Sequence, residues 1–287
     1  MPELPELEIV REVLERRVIG AAILGVEVSP SSGPIVVRDL TFKGFAPSIT
    51  GTVFSDVIRR GKFLVFSLTR PGASVLEAPL RLVINPKLTG RLQLAEPGLR
   101  RHPKTCLILS LSTSEELRYV DQKTMGQVYL TRDTTQISDY LEMGPEPLAI
   151  SLEDFRARLK RHRGEIKGIL TRGDFVAGIG NAYADEILWA ARLHPYRKRT
   201  ELTPGETERL YNATRSTLLA AIEQVRVEMG DAIQLKPRDF LAVHLKTGEP
   251  CPRCGTPITL IGANQRITNF CRSCQPGGTI RGMSLER

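Results

Sequence analysis

The sequence predicts an α+β chain: an N-terminal helix plus a β-sandwich domain, then a C-terminal helical domain carrying a four-cysteine zinc-ribbon hairpin. Three observations predict it. Leu4, Leu7, Val10, Leu14 and Val18 recur at helical spacing. Short β-prone runs parted by Gly and Pro clusters occupy 23–130. Four of the five cysteines stand in two CxxC pairs close to the end of the chain.

The first helix tolerates Pro5 in its opening turn, and its acidic start suits the positive end of the helix dipole. It is expected to end near Gly20. The clearest strand runs are 62–66, 81–84, 107–111 and 127–130. Gly144-Pro145-Glu146-Pro147-Leu148 reads as a linker, and Ser151 with Asp154 three residues on opens a helix to about Arg163. Gly178-Ile179-Gly180-Asn181 precedes a helical run over 182–191. Thr203-Pro204-Gly205-Glu206 starts a long helix toward Gly230, with proline at the first helical position. The implied organisation is an N-terminal domain over 1–135, a linker over 136–150, a helical domain over 151–245 and a zinc finger over 246–287.

A length of 287 residues suffices for two domains with separate cores. The net charge of +8 is compatible with a polyanionic partner but does not select one. No apolar run approaches the roughly 18–20 residues that span a bilayer, and the acidic start lacks the basic and apolar regions of a signal peptide. A cytosolic location is therefore expected, where cysteines stay reduced and the paired ones read as metal ligands. Cys106, inside an apolar strand run, is expected in the core.

Cys251 and Cys254, then Cys271 and Cys274, are separated by sixteen residues, a four-cysteine zinc spacing. Four protein ligands leave no open coordination position, so the zinc would be structural. Between the knuckles, 256–261 and 266–270 form two short strands around a turn, with Arg266 near the tip. On its own Arg266 reads first as a solvated arginine. Asn181 could add a donor to backbone N–H groups that hold a phosphate, or simply cap its helix. Lys62, after Arg59-Arg60-Gly61 and before a strand, could contact a phosphate or an abasic sugar, or be an exposed strand-end charge. Pro2 offers a secondary amine once Met1 is removed, with carboxylates at Glu3 and Glu6. Such an amine can condense with a sugar aldehyde into a Schiff base, as lysine amines do.

Taken together and in this order, these segments resemble the formamidopyrimidine-DNA glycosylase / endonuclease VIII family, over nearly the whole chain. Pro2-Glu3-Leu4-Pro5-Glu6-Leu7-Glu8 resembles its N-terminal signature, Arg59-Arg60-Gly61-Lys62-Phe63 its lysine turn, and 141–148 its interdomain segment. The run 178–186 resembles its helix–two-turn–helix, and 248–275 its zinc finger. The resemblance implies a bifunctional glycosylase and abasic-site lyase acting as a monomer on double-stranded DNA in the basic cleft between the domains. Pro2 would attack the sugar C1′, Glu3 would serve as general acid/base, and Lys62 would assist the lyase steps and bind phosphate. Arg266 would clamp the phosphate beside the everted nucleotide. Asn181 and Lys167 would hold the DNA backbone, and His102 would approach it; His244 acquires no role.

Three departures bear on substrate. Where the family has His-Leu-Gly-Met, this chain reads Asn85-Pro86-Lys87-Leu88, which puts Asn85 in place of a phosphate-contacting histidine and Leu88 in place of a wedge methionine. The family's Asp-x-Arg-x-Phe-Gly is here Asp121-Gln122-Lys123-Thr124-Met125-Gly126. Lys123 lacks the bidentate fork of arginine toward an orphaned base, while Met125 can still serve as an apolar wedge. Only eight residues, 241–248, separate Phe240 from Glu249, where relatives that process 8-oxoguanine carry a longer excursion over the everted purine. Poor excision of 8-oxoguanine is expected, with cleavage of abasic sites retained. A binder of distorted DNA that has kept the fold is the alternative, and a zinc-ribbon RNA-associated protein would leave Pro2 and Glu3 without a purpose.

Overall fold

The computed structural model describes residues 1–72, 78–262 and 267–277. The chain divides into two compact units, Met1–Glu142 with Ile222–Pro237, and Met143–Ala221 with Arg238–Arg287.

The first unit opens with α1 (Leu4–Arg17). Glu3 is its N-cap, and the Glu6 carboxylate reaches back to accept the Glu3 backbone N–H at 2.8 Å. Arg16 and Arg17 lie at the negative end of its dipole, and Gly20 follows with φ 88°. Next come β1 (Ile23–Val28), α2 (Gly33–Val36), β2 (Val37–Asp39), α3 (Phe45–Ile49), β3 (Val53–Arg60) and β4 (Phe63–Thr69). They are followed by β5 (Leu80–Asn85), β6 (Gly90–Ala95), β7 (Thr105–Leu111), β8 (Glu116–Asp121), β9 (Gln127–Thr131) and α4 (Ser138–Leu141).

These strands make the two sheets expected from the sequence. One runs β2-β9-β5-β4-β3, the other β1-β7-β8-β6. All pairings are antiparallel except β2 with β9. The central strands are buried on both faces. Phe63 through Phe66 in β4 and Cys106 through Leu109 in β7 are all enclosed, so Cys106 is a core residue as expected. The buried stripe of α1, Leu7, Val10 and Leu14, faces β3 and β4.

The second unit contains α5 (Leu152–Arg161), α6 (Ile166–Leu170), α7 (Asn181–Ala190), the start of α8 (Pro204–Met229), and the hairpin β10 (Thr259–Ile261) and β11 (Thr268–Phe270). The two expected helix starts carry their caps. Ser151 Oγ accepts the Asp154 N–H at 3.0 Å, and Thr203 and Glu206 exchange bonds of 3.2 and 2.9 Å. Phe155 packs edge-on against both Phe175 and Tyr211 at the centre of this unit.

Three features differ from the sequence reading. Packing groups 222–237 with the first unit, where Arg226 pairs with Glu12 and Asp231 with both Arg16 and Arg17. The helix α6 has only five residues, too short to show a period. The first hairpin strand begins at Thr259 rather than near 256, because the Thr256 carbonyl accepts the Cys251 N–H at 2.9 Å and turns the knuckle, and Pro257 has no N–H to give a ladder.

Candidate active site and metal centre

Pro2 precedes Glu3, the N-cap of α1, and is buried. With Glu6, Leu64, Pro86, Tyr119 and Leu235 it lines a small cavity of ≈ 20 Å³ in the first unit. Glu3 is 2% exposed beside it. Lys62 lies in the two-residue turn between β3 and β4, which Gly61 permits by its φ of 57°. That turn is tied to α1, because Arg59 Nε donates to Glu8 Oε2 at 2.5 Å and Arg59 Nη1 to the Gly61 carbonyl at 3.2 Å.

The two segments that depart from the family pattern are neighbours. Asn85 is buried at the end of β5, and its Oδ1 accepts the Lys87 N–H at 3.2 Å. Lys87 has φ 46°, and Leu88 beside it is half-buried. Thr89 donates to Asp121, whose carboxylate also accepts the N–H of Lys123 at 3.2 Å and of Gly126 at 2.6 Å. Asp121, fully buried, thus shapes the loop that presents Lys123 and Met125, both exposed. The Tyr119 hydroxyl sits between the two glycines that frame this region. A Cβ at Gly90 would lie 2.0 Å from it and one at Gly126 only 1.7 Å away. Among the described residues this hydroxyl has no hydrogen-bond partner, and burial holds the phenol well above its usual value.

His102 is exposed and lines a wider hollow of ≈ 540 Å³ with Arg91, Arg100, Gln93 and Gln122. Its Nδ1 accepts the Lys104 N–H at 3.0 Å. The preceding turn is held by the fully buried Arg118, which pairs with Glu116 at 2.6 Å and donates to the carbonyls of Glu96 and Leu99.

In the second unit the four cysteines converge, their Sγ atoms all within 4.8 Å of one another. Cys254 and Cys271 lie 3.4 Å apart, Cys251 and Cys274 3.9 Å apart. Four thiolates about 2.3 Å from one tetrahedral ion would be separated by about 3.8 Å, so the set fits a zinc ion. Donors that favour thiolate surround it. Trp189 Nε1 lies 3.4 Å from Cys251 Sγ, and the Cys274 N–H 3.4 Å from Cys271 Sγ. Hydrogen bonds from the Thr256 side chain and backbone push Cys254 down to about 6, whereas burial raises Cys271 and takes Cys274 up to about 12.

Beneath this finger, α6 and α7 carry a buried polar network. Asn181 begins α7, and its Nδ2 donates to the Ile267 carbonyl at 2.6 Å. Lys167, 7% exposed, donates to the same carbonyl at 2.9 Å and to Thr268 Oγ1 at 2.8 Å, and its Nζ lies 2.6 Å from Asp185 Oδ1. Asp185 also meets His244 Nδ1 at 2.8 Å and accepts the Asn269 N–H at 3.2 Å. Glu186 accepts the N–H groups of Ala242, Val243 and His244, at 2.9, 2.9 and 2.8 Å; burial nevertheless raises its pKa. Arg266 lies outside the described residues. Asp121, Asp185, Glu186 and His244 escaped sequence reasoning, although Asn181 and Asp185 at i and i+4 already share one helix face.

Comparison with known proteins gives the class. Residues 1–128 match the formamidopyrimidine-DNA glycosylase N-terminal domain, 143–231 its H2TH domain, and 248–277 a zinc finger found in FPG and IleRS. A two-sheet unit, a helical H2TH region and a four-cysteine finger in this order define a DNA-repair glycosylase that acts on damaged DNA. The chain is 38% identical over 285 residues to formamidopyrimidine-DNA glycosylase of Symbiobacterium thermophilum, covering 96% of this chain and 90% of that protein. It is 34% identical to the enzyme of that name from Desulforamulus reducens, covering 96% and 99%. Among solved structures it resembles Lactococcus lactis Fpg in complex with abasic-site DNA, at TM-score 0.82, 30% identity and coverage of 96% and 100%. MutM in complex with DNA containing carbocyclic 8-oxo-G is similar at TM-score 0.82 and 31% identity, with the same coverage. The chain belongs to the formamidopyrimidine-DNA glycosylase family.

Proposed function

We propose that this chain excises damaged bases from double-stranded DNA and then cleaves the strand at the abasic site, as a monomer with one structural zinc ion. The observation that carries the reading is the position of Pro2, at the head of a capped helix, lining a cavity with Glu6 and next to the buried Glu3. The solved relatives support it, because their structures hold abasic-site DNA or DNA with carbocyclic 8-oxo-G.

The chemistry requires the Pro2 nitrogen as a free secondary amine, so Met1 must be absent. Its lone pair attacks the sugar C1′, and the N-glycosyl bond breaks with its electrons leaving on the base. Opening of the sugar ring breaks C1′–O4′, and Glu3 supplies the proton to O4′. The resulting iminium acidifies C2′–H; loss of that proton expels the 3′-phosphate by β-elimination, and water then hydrolyses the enzyme–sugar bond. Lys62 assists these steps and meets a phosphate, and Arg266 clamps the phosphate beside the everted nucleotide. His102, Asn85 and Lys123 contact DNA from the first unit, with Leu88 and Met125 filling the space of the flipped base. The four thiolates would hold zinc in a closed set that builds the finger and takes no part in the reaction.

Borohydride trapping with a duplex bearing one abasic site, followed by mass spectrometry of the adduct, tests this. A covalent adduct mapped to Pro2 is expected. No adduct from protein lacking Met1 and loaded with zinc would reduce the chain to a binder of distorted DNA.

A further inference from the structure

We infer that Lys167 is a positioning residue, not a phosphate ligand: with Asp185 and His244 it sets the base of the zinc hairpin on which DNA affinity depends. The inference rests on the proposed DNA-binding function and departs from the role that the family resemblance gives this lysine.

Lys167 donates to Thr268 Oγ1 at 2.8 Å and to the Ile267 carbonyl at 2.9 Å, and its ammonium forms an ion pair with Asp185 Oδ1 at 2.6 Å. At 7% exposure the head group lies inside the fold, not on a surface that a backbone phosphate could reach. Swinging it outward would leave the fully buried Asp185 carboxylate without its cation, which is the costly way to break a buried pair.

The network has a consistent geometry. Asp185 takes Lys167 on one oxygen, and His244 Nδ1 with the Asn269 N–H on the other. Glu186, the next residue on α7, grips three consecutive backbone N–H groups at 242–244. Asn269 closes the ring, its Oδ1 accepting the Leu245 N–H at 3.0 Å and its Nδ2 donating to Thr247 at 2.9 Å. Two adjacent carboxylates therefore fasten the segment before the first knuckle and the strand before the second onto one helix. The Ile267 carbonyl, next in sequence to Arg266, is held from two sides by Lys167 and Asn181. Every one of these groups serves to fix where the hairpin starts.

Salt dependence separates the two roles. A variant that no longer touches one phosphate shows a slope of log affinity against log salt lower by about 0.9, whereas replacing a positioning residue changes affinity at constant slope. The test measures Kd and its salt slope on a duplex with a tetrahydrofuran abasic analogue, and KM and kcat on a true abasic duplex, for wild type, Lys167→Met and His244→Phe. Zinc content is determined for each. Expected for zinc-loaded Lys167→Met is a weakening of about 10–100-fold, as for other supporting residues behind a metal site, with slope and kcat unchanged and the whole effect in KM. His244→Phe keeps the Lys167–Asp185 pair and is expected to show a smaller weakening of the same kind. It decides the matter if Lys167→Met fails to retain zinc. A slope lower by about 0.9 in Lys167→Met overturns the inference, as does unchanged affinity in both variants or an effect confined to kcat. Wild-type protein that fails to bind the analogue duplex would instead overturn the functional reading itself.

Discussion

Arg59 Nε lies 2.5 Å from Glu8 Oε2, so the end of β3 is fastened to the second turn of α1. The Arg59 side chain is 9% exposed and that of Glu8 20%, which puts the pair between a surface contact and a buried one. Lys62 stands three residues beyond Arg59, and Pro2 six residues before Glu8. The ion pair therefore fixes the lysine turn with respect to the start of the helix.

Glu8 provides a pH test of that link. Burial raises its pKa, but hydrogen bonding and charge from Arg59, then Arg11, outweigh it and leave the carboxyl below its ordinary 4.5. A depressed carboxylate stabilises the fold fully above that ordinary value and loses its contribution as pH falls through the folded value. The stability gap between wild type and Glu8→Gln should be about 1–3 kcal/mol at pH 7 and close below pH 4.5, as followed by denaturant melts. A gap independent of pH down to acid unfolding would show that the charge of Glu8 contributes nothing.

Glu3→Gln keeps the N-cap position and the neighbouring backbone while removing the acid. Strand cleavage should fall by about 10²–10⁴-fold, the usual range for a general acid/base. Affinity for the abasic analogue should stay within a factor of a few, as read by fluorescence anisotropy.

Metal content gives a third outcome. One zinc per chain is expected by atomic absorption, and four thiols should become reactive when it is released. Cys271→Ser should lose the ion and the finger's contribution to DNA affinity, because structural zinc sites bind with apparent free energies of about 10–16 kcal/mol that double as folding energy.

Gly126→Ala should be destabilised by about 1–3 kcal/mol through overpacking, since its Cβ would meet the Tyr119 hydroxyl at 1.7 Å. Tyr119→Phe removes the obstructing oxygen, so the double variant should recover part of that stability in a mutant cycle. Strict additivity in thermal melts would place the strain elsewhere.

Lesion preference is a fifth. Leu241 and Val243 are buried and Glu186 holds the backbone of 242–244, so half of the eight residues between Phe240 and Glu249 are anchored to the fold and little chain is left to cover a purine. Excision of 8-oxoguanine opposite cytosine should be much slower than cleavage of an abasic site in the same duplex context. Equal single-turnover rates would reject this.

Local rules carried the sequence reading a long way. Caps at Ser151 and Thr203, the period of α1 and the cysteine spacing depend on residues a few positions apart, and each is visible in the sequence. What stayed hidden was non-local. Nothing in the run 222–237 says that Arg226 will find Glu12, more than two hundred residues away. The enclosure of Lys167 was equally hidden, because lysines are rarely buried and its burial depends on Asp185 and on a hairpin one hundred residues downstream. The same holds for His244, which no motif marks but which Asp185 engages at 2.8 Å.

Trp189 is the chain's one tryptophan, and its indole N–H points at Cys251 Sγ while the Arg253 guanidinium stacks 4.1 Å above its ring. Sulfur and a stacked cation both alter the emission of an indole excited state. Intrinsic fluorescence of the whole protein is thus a single-site signal from the finger: loading, loss or oxidation of the thiolates can be followed in real time without a label, and against no background from any second indole.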